Sequence, residues 1–278
     1  PLMSGLADYT GRRKTFMKVF TWIGAVFCSM LFFFNQDTIT LGVICFGLGT
    51  LGYAGSIVFY NSFLPVIAAP EDQDRISARG YSMGYIGGVV LLLFNLWMIL
   101  FPGWFGIPEG SSLPARISFL TVGLWWIGFS QLTFLRLPKY TYRQRSEKKN
   151  LIFNGYRELR KVFDYVRTSA VLSLYLAGFF FMMMGVLTVM FMAASFGAKE
   201  LELPDDILIG TILMIQFVGI LGAWSFARLS GKIGNFRALI FAVITWIFIC
   251  VGAYTIQKAA GFITAAVFIG FVMGGSQS

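Results

Sequence analysis

Residues 4–14, SGLADYTGRRK, determine how the rest of the chain is interpreted. They combine an acid, a turn-forming glycine and three consecutive cations, and these residues are Asp8, Gly11, Arg12, Arg13 and Lys14. The stretch that follows, residues 15–34 (TFMKVFTWIGAVFCSMLFFF), is predominantly apolar and about as long as a helix that crosses the hydrocarbon core of a bilayer. We therefore expect the polar residues to lie at a membrane surface, directly before a spanning helix.

The composition of the whole chain is that of a membrane protein. Hydrophobic residues make up 57% of the 278 residues and charged residues 13%, and the mean hydropathy is +0.73. These values lie outside the range of ordinary soluble domains. The chain has no histidine, and its three cysteines fall far apart inside apolar stretches: Cys28, Cys45 and Cys250. We therefore predict neither a zinc site nor a disulfide framework, and no cofactor.

Eight apolar stretches are long enough to span a bilayer as helices. They are residues 15–34, 39–64, 81–101, 117–135, 171–196, 207–227, 238–256, and 261 onward. None shows the short alternation of apolar and polar residues that is typical of outer-membrane barrel strands. The sequence therefore predicts an all-α polytopic membrane protein.

The distribution of cations gives these helices an orientation. If the loop that contains residues 4–14 is cytoplasmic, 19 of the 22 Lys and Arg residues fall on the cytoplasmic side. Such a bias is what the positive-inside rule predicts. The net charge of +9 is thereby explained by membrane topology, and we predict no nucleic-acid partner.

A long basic loop separates the first four apolar stretches from the last four. We accordingly predict an N-terminal half (1–135), a basic cytoplasmic linker (136–170) and a C-terminal half (171–278). Because the N-terminus begins in a loop and the C-terminus ends within an apolar helix, we expect the chain to be a fragment of a longer protein.

The linker contains an amphipathic pattern. Apolar residues recur there at helical spacing, at Tyr156, Leu159, Phe163 and Val166. This spacing predicts a helix on the membrane surface with Asn154 as its N-cap. Two interpretations are open, a solvated linker with a membrane-facing stripe and a helix that binds lipid or a protein partner.

Another predicted cytoplasmic loop places acids and bases side by side, at Glu71, Asp72, Asp74, Arg75 and Arg79. Exposed ion pairs of small energetic weight are the expected outcome. The alternative is a set of ion pairs that changes between conformational states.

A second stretch, residues 227–237 (ARLSGKIGNFR), repeats the pattern of residues 4–14. Each has a small residue, a leucine two positions later, a glycine seven positions later, and then cations. Both fall in short cytoplasmic loops between apolar stretches, and weak internal repeats of this kind occur in transporters. The pair resembles the loop signature of the major facilitator superfamily, Gly-x-Leu-x-Asp-x-x-Gly-Arg-Arg. The resemblance implies that the eight stretches correspond to helices three to ten of twelve in a major facilitator fold.

In that superfamily the loop is thought to hold the cytoplasmic side closed in one state. The resemblance therefore implies gating roles for Asp8, Gly11, Arg12 and Arg13. For the cations, the alternative is that they only anchor the loop at the membrane surface. The second copy departs from the pattern because Gly231 occupies the position of the acid.

Three further stretches are similar to one subfamily, the vacuolar amino-acid effluxer-like (autophagy-related) transporters and their bacterial relatives. They are residues 60–65 (YNSFLP), 77–88 (SARGYSMGYIGG) and 271–277 (FVMGGSQ). This resemblance covers essentially the whole chain. It implies secondary transport, with amino acids as the substrate class attributed to eukaryotic members.

No Asp, Glu, Lys or Arg lies in the interior of the eight stretches, so substrate contacts are expected from uncharged polar groups. The candidates are mid-membrane amides and aromatic hydroxyls, namely Tyr53, Asn95, Tyr175, Gln216 and Gln277. Amides and hydroxyls can satisfy both the ammonium and the carboxylate of a zwitterion. Each of these side chains could equally form a hydrogen bond between two helices.

The sequence thus predicts a secondary active transporter of a small organic solute, with amino acids as the candidate class, that works by alternating access. Its expected partners are the solute and the lipid bilayer; the coupling ion is open, with a proton among the candidates. The expected location is a cytoplasmic (plasma) membrane, or a vacuolar membrane if the source is eukaryotic. The alternatives are a transport-inactive receptor or scaffold and a membrane-embedded enzyme. An enzyme is disfavoured because the chain lacks histidine and mid-membrane carboxylates.

Overall fold

A computed structural model describes residues 2–138 and 151–277 of the chain. Within these ranges a few side chains are not described, and they belong to Leu2, Asp8, Tyr9, Gln36, residues 151–154, Glu158, Asp206 and Gln277.

The described residues form α-helices joined by short connections. The helices are α1 (Leu2–Thr10), α2 (Arg13–Met30), α3 (Ile39–Asn61), α4 (Leu64–Ile67), α5 (Gln73–Leu100), α6 (Leu113–Arg136), α7 (Leu151–Thr168), α8 (Ala170–Lys199), α9 (Asp205–Ile233), α10 (Asn235–Ala253) and α11 (Ala259–Gln277). Short 3₁₀ turns lie at Leu31–Phe33, Gln36–Thr38, Pro70–Asp72 and Pro102–Phe105. Eight helical segments in the described part are long and apolar enough to cross a membrane. The all-α polytopic fold predicted from the sequence is confirmed.

Two of the spanning helices extend six residues or more beyond one end of their apolar stretches. α5 begins at Gln73, eight residues before the predicted start, and α9 continues to Ile233, six residues beyond the predicted end. Both extensions are polar. Hydropathy identifies the part of a helix that lipid covers, whereas the helix itself continues as long as its backbone hydrogen bonds do.

The predicted amphipathic linker helix is present as α7, but its predicted N-cap is wrong. Asn154 lies inside α7, which already begins at Leu151. A capping residue must stand at the helix terminus, where backbone N–H groups lack partners.

Large apolar side chains cover much of the helix exteriors. Phe181, Phe248 and Leu135 are 70%, 72% and 79% exposed. Soluble proteins rarely display apolar surface on this scale. These faces suit contact with lipid, in agreement with an integral multi-pass membrane protein.

The first of two compact units comprises the described residues of Pro1–Ala69 and Leu93–Ser169. Here α2 and α3 pack closely at Gly24 and Gly52, and the Trp126 ring of α6 covers Gly24. Small residues allow such close backbone approach between membrane helices. The unit has an apolar core that consists of Ala7, Met17, Phe59, Phe63 and Phe134.

The second unit comprises the described residues of Pro70–Leu92 and Ala170–Ser278. Its closest packing joins α9 and α11, where Gly274 lies against the backbone of Gly219 and Ala223. The unit's core consists of Tyr85, Val186, Phe226, Ala242, Trp246, Ile249, Ile269, Val272 and Met273. α5 contributes to both units, so the predicted halves 1–135 and 171–278 stay a prediction.

Candidate functional site

The first loop is a tight turn between two helices. α1 ends at Thr10, α2 begins at Arg13, and Gly11 between them has a φ of +67°. Glycine adopts this left-handed conformation without strain, whereas most other residues do so at a cost. Thr10 Oγ1 donates a hydrogen bond of 2.8 Å to the Leu6 carbonyl in the last turn of α1. The predicted turn glycine is therefore placed where its conformational freedom is required.

Two cations of this loop contact the ends of neighbouring helices. Arg13 Nη1 donates to the carbonyl of Ser62 at 3.4 Å, and Lys14 Nζ donates to the carbonyl of Leu137 at 2.6 Å. Ser62 and Leu137 are the C-caps of α3 and α6. Because unpaired carbonyls give a helix C-terminus partial negative charge, cations are stabilising there. Arg13 and Lys14 thus hold the start of α2 against α3 and α6.

The other predicted gating residues have different surroundings. Arg12 is exposed between α1 and α2. Asp8 lies within α1, but its side chain falls outside the described part of the structure. The gating roles of Asp8, Gly11, Arg12 and Arg13 stay a prediction.

The second copy of the loop also turns at a glycine with positive φ. α9 ends at Ile233, α10 begins at Asn235, and Gly234 between them has a φ of +84°. The glycines that the sequence comparison aligned, Gly11 and Gly234, therefore both have positive φ between two consecutive helices.

A carboxylate from α5 contacts this second loop. Ser230 Oγ donates a hydrogen bond of 3.1 Å to Asp74 Oδ2, and Asn235 Nδ2 donates one of 3.3 Å to Asp74 Oδ1. The neighbouring Asp72 instead pairs with the exposed Arg75 at 2.8 Å, three residues along the chain. The exposed ion pair expected for this loop is therefore found at Asp72, whereas Asp74 contacts the second loop.

Asp74, Ser230 and Asn235 line a cavity of about 230 Å³ in the second unit. The other polar residues of its lining are Tyr175 and Ser276. Phe226 and small or aliphatic residues of α10 form much of the remaining wall. The lining residues thus include one with a carboxylate, three with hydroxyl groups and one with an amide, and the volume is large enough for water or a small polar group.

The predicted substrate contacts fall in both units. In the first, Asn95 is 6% exposed and accepts a hydrogen bond of 2.8 Å from Thr121 Oγ1. Tyr53 is 56% exposed, and its ring contacts Trp126 edge-on at 6.2 Å between centroids. Asn95 therefore takes part in a hydrogen bond between two helices, the alternative that the sequence left open for each candidate.

In the second unit, Tyr175 lines the 230 Å³ cavity. Gln216 is half-buried, and a Cβ built on Gly88 would lie 3.2 Å from its Nε2. The side chain of Gln277 is outside the described part. The role of each of these residues as a substrate contact stays a prediction.

Comparison with known proteins decides the family. The model of the family described as "Vacuole effluxer Atg22 like" matches residues 1–74 and 69–278. The chain belongs to this family. No solved structure matches it.

Curated relatives of this Atg22-like chain come from bacteria and fungi. The uncharacterized MFS-type transporter YxiO of Bacillus subtilis is 26% identical over the whole chain, which covers 64% of that protein. Autophagy-related protein 22-2 of Aspergillus oryzae is 24% identical, with 83% of this chain and 50% of the relative covered. Autophagy-related protein 22-1 of Aspergillus terreus is 25% identical, and the match covers 47% of this chain and 31% of that relative. The chain thus spans less than two thirds of the length of each of these relatives.

The sequence reasoning recognised the Atg22-like family correctly but missed part of this site. It treated Asp74 as one of several surface acids, and it singled out neither Ser230 nor Asn235 as a contact. The one available signal was that the second copy of the loop has Gly231 where the first copy has an acid.

Proposed function

We propose that the chain is part of a secondary transporter that moves a small organic solute across a membrane by alternating access. The observation that carries the proposal is the repeated loop, in which Gly11 and Gly234 both adopt positive φ between consecutive helices. Paired loops of this kind fit a protein built from two related halves. Membership of the Atg22-like family and the relative named an MFS-type transporter support the same conclusion.

Amino acids are the proposed solute class. The proposal rests on the resemblance to amino-acid effluxers and on the absence of charged side chains from the interiors of the apolar stretches. Amides and hydroxyls would then bind both charged groups of the solute. The proposed contacts are Tyr53, Asn95, Tyr175, Gln216 and Gln277.

The first loop is the proposed cytoplasmic gate. Asp8 and Arg12 are the residues expected to change partners, whereas Gly11 permits the turn. Arg13 contacts the C-cap of α3, an arrangement that supports an anchoring contribution as well. The protein is proposed to act in the plasma membrane of a bacterium or the vacuolar membrane of a eukaryote, with a proton as one candidate for the coupling ion.

A transport-inactive receptor or scaffold is the second candidate function. It is favoured by α7, whose aromatic side chains Tyr156, Phe163 and Tyr165 are all more than half exposed. A membrane-embedded enzyme is the weaker alternative, because both copies of the loop and the relatives' names favour transport.

The test uses the full-length protein in proteoliposomes. Counterflow of a labelled amino-acid panel is measured with and without a pH gradient, and Asp8→Asn is compared with Asp37→Asn. Asp37 is an exposed acid in a predicted loop on the opposite side, so its variant serves as the matched control. We expect counterflow of one chemical subset, which Asp8→Asn impairs and Asp37→Asn does not. Absence of counterflow from a folded protein, across amino acids and other small solutes, would favour the scaffold.

A further inference from the structure

The second copy of the loop lacks an acid of its own. The position that corresponds to Asp8 is occupied by Gly231. A Cβ built on Gly231 meets no atom within 4 Å, so this position is open in the structure. A carboxylate that contacts the second loop must therefore belong to another element.

Asp74 of α5 provides a carboxylate that contacts the second loop. Its two oxygens accept hydrogen bonds from Ser230, the residue directly before Gly231, and from Asn235, the first residue of α10. The two donors therefore flank the turn on both sides. We propose that Asp74 supplies the carboxylate missing from the second copy, so that α5 and the α9–α10 turn form a second cytoplasmic latch.

The surroundings of Asp74 suit a contact that must break and re-form. Asp74 lies in the first turn of α5, where the helix dipole stabilises a carboxylate. Both donors are neutral, and among the described side chains no Lys or Arg lies within ion-pair distance of Asp74. Hydrogen bonds from neutral donors to a half-buried carboxylate stabilise one state without the large desolvation costs of a buried ion pair.

The side chain of Asn235 supports this assignment. The N-cap of α10 is Gly234, which has no side chain to cap the helix, and Asn235 follows it as the first helical residue. The Asn235 amide donates to Asp74. The residue thus contributes to a contact between elements.

The contact also borders the 230 Å³ cavity, because Asp74, Ser230 and Asn235 all belong to its lining. Breaking both hydrogen bonds would therefore change how accessible the cavity is from the side where Asp74 lies. This inference rests on the proposed function, since a latch has a role only in a protein whose two faces open in turn.

The test measures access to the cavity and needs no substrate. In the full-length protein with its native cysteines replaced, Ser276→Cys provides a half-buried reporter in the cavity lining. Its reaction rate with a membrane-impermeant maleimide is measured from the cytoplasmic side. We expect Asp74→Ala and Asp74→Asn to raise this rate by about threefold or more, the population change expected from losing one or two hydrogen bonds. Ser230→Ala should raise it less, because it removes only one bond.

Two further variants make the test specific. Glu71→Gln removes an exposed acid of the same loop and should leave the rate unchanged. Gly231→Asp introduces an acid at the open position and, combined with Asp74→Asn, should return the rate towards that of the parent. An unchanged rate in Asp74→Ala, or an equal rise in Glu71→Gln, would overturn the latch. Failure of Gly231→Asp to lower the raised rate would overturn the claim that Asp74 replaces the missing acid.

The outcomes separate this inference from the transport proposal. Solute counterflow with no labelling change in Asp74→Ala would overturn the second latch alone. A labelling change in a protein that moves no solute would support a cytoplasmic contact that opens, and would overturn the transport function.

Discussion

Lys14 Nζ donates a hydrogen bond of 2.6 Å to the carbonyl oxygen of Leu137, which lies 123 positions later in the chain. Leu137 is the C-cap of α6, so the ammonium group satisfies a carbonyl at the negative end of a helix. Lys14 therefore has a structural contribution, as does Arg13 through the C-cap of α3, whatever the part of the loop in gating.

Replacement of Lys14 by Met should destabilise the first unit. The variant removes a charge-assisted hydrogen bond and leaves a helix-terminal carbonyl without that donor, at an expected cost of about 1 kcal/mol in the free energy of unfolding. Thermal unfolding of the full-length protein in detergent measures the effect. Lys258→Met is the matched control because Lys258 is exposed, and its melting temperature should equal that of the parent. A similar loss in both variants would mean that the Lys14 contact contributes nothing specific.

The packing of α2 on α3 predicts a contrast between two glycines of α3. A Cβ at Gly52 would overlap the backbone of Gly24 and lie 2.8 Å from the Phe20 carbonyl oxygen, whereas a Cβ at Gly47 would meet nothing within 4 Å. Gly52→Ala should therefore cost about 1–3 kcal/mol through overpacking, and Gly47→Ala should be neutral or slightly stabilising. Yield of monodisperse protein and its melting temperature measure both. Equal behaviour of the two variants would contradict the close approach at Gly24.

The sequence predicted the fold of this protein more completely than its candidate site. The spanning helices could be located because lipid selects for long apolar stretches, a property that each stretch carries by itself. The contacts of Asp74 could not be predicted, because Glu71, Asp72 and Asp74 are chemically alike within four residues. What distinguishes Asp74 is its contact with Ser230, 156 positions away, and with Asn235. The Asn154 cap failed for a related reason, since helix ends depend on backbone geometry that residue type only partly determines.

The φ of +67° at Gly11 predicts an ordering of substitutions in the first loop. Gly11→Ala forces a Cβ into the left-handed region and should cost about 1 kcal/mol. Asn tolerates that region better than other residues with a Cβ, so Gly11→Asn should be less destabilising than Gly11→Ala. Melting temperatures of both variants check this order. An Ala variant at least as stable as the Asn variant would show that the turn does not require positive φ.

The Asn95–Thr121 hydrogen bond allows a structural role to be separated from substrate binding. Asn95 is buried on α5, and Thr121 of α6 donates to its amide oxygen at 2.8 Å. Thr121→Val removes the donor, and a bond of this kind between membrane helices contributes about 0.6–2 kcal/mol. Thr188→Val is the control, since the Thr188 hydroxyl donates to the carbonyl oxygen of Met184 within its own helix.

A double-mutant cycle completes this prediction. If the bond joins only the two helices, Asn95→Leu and Thr121→Val together should cost less stability than the sum of the single variants. Solute counterflow should then fall in parallel with stability in each variant. If Asn95 also contacts the solute, Asn95→Leu should abolish counterflow at a temperature where the protein remains folded, while Thr121→Val retains it. Additive stability losses would mean that the two side chains are not coupled, and retained counterflow in folded Asn95→Leu would remove Asn95 from the proposed substrate contacts.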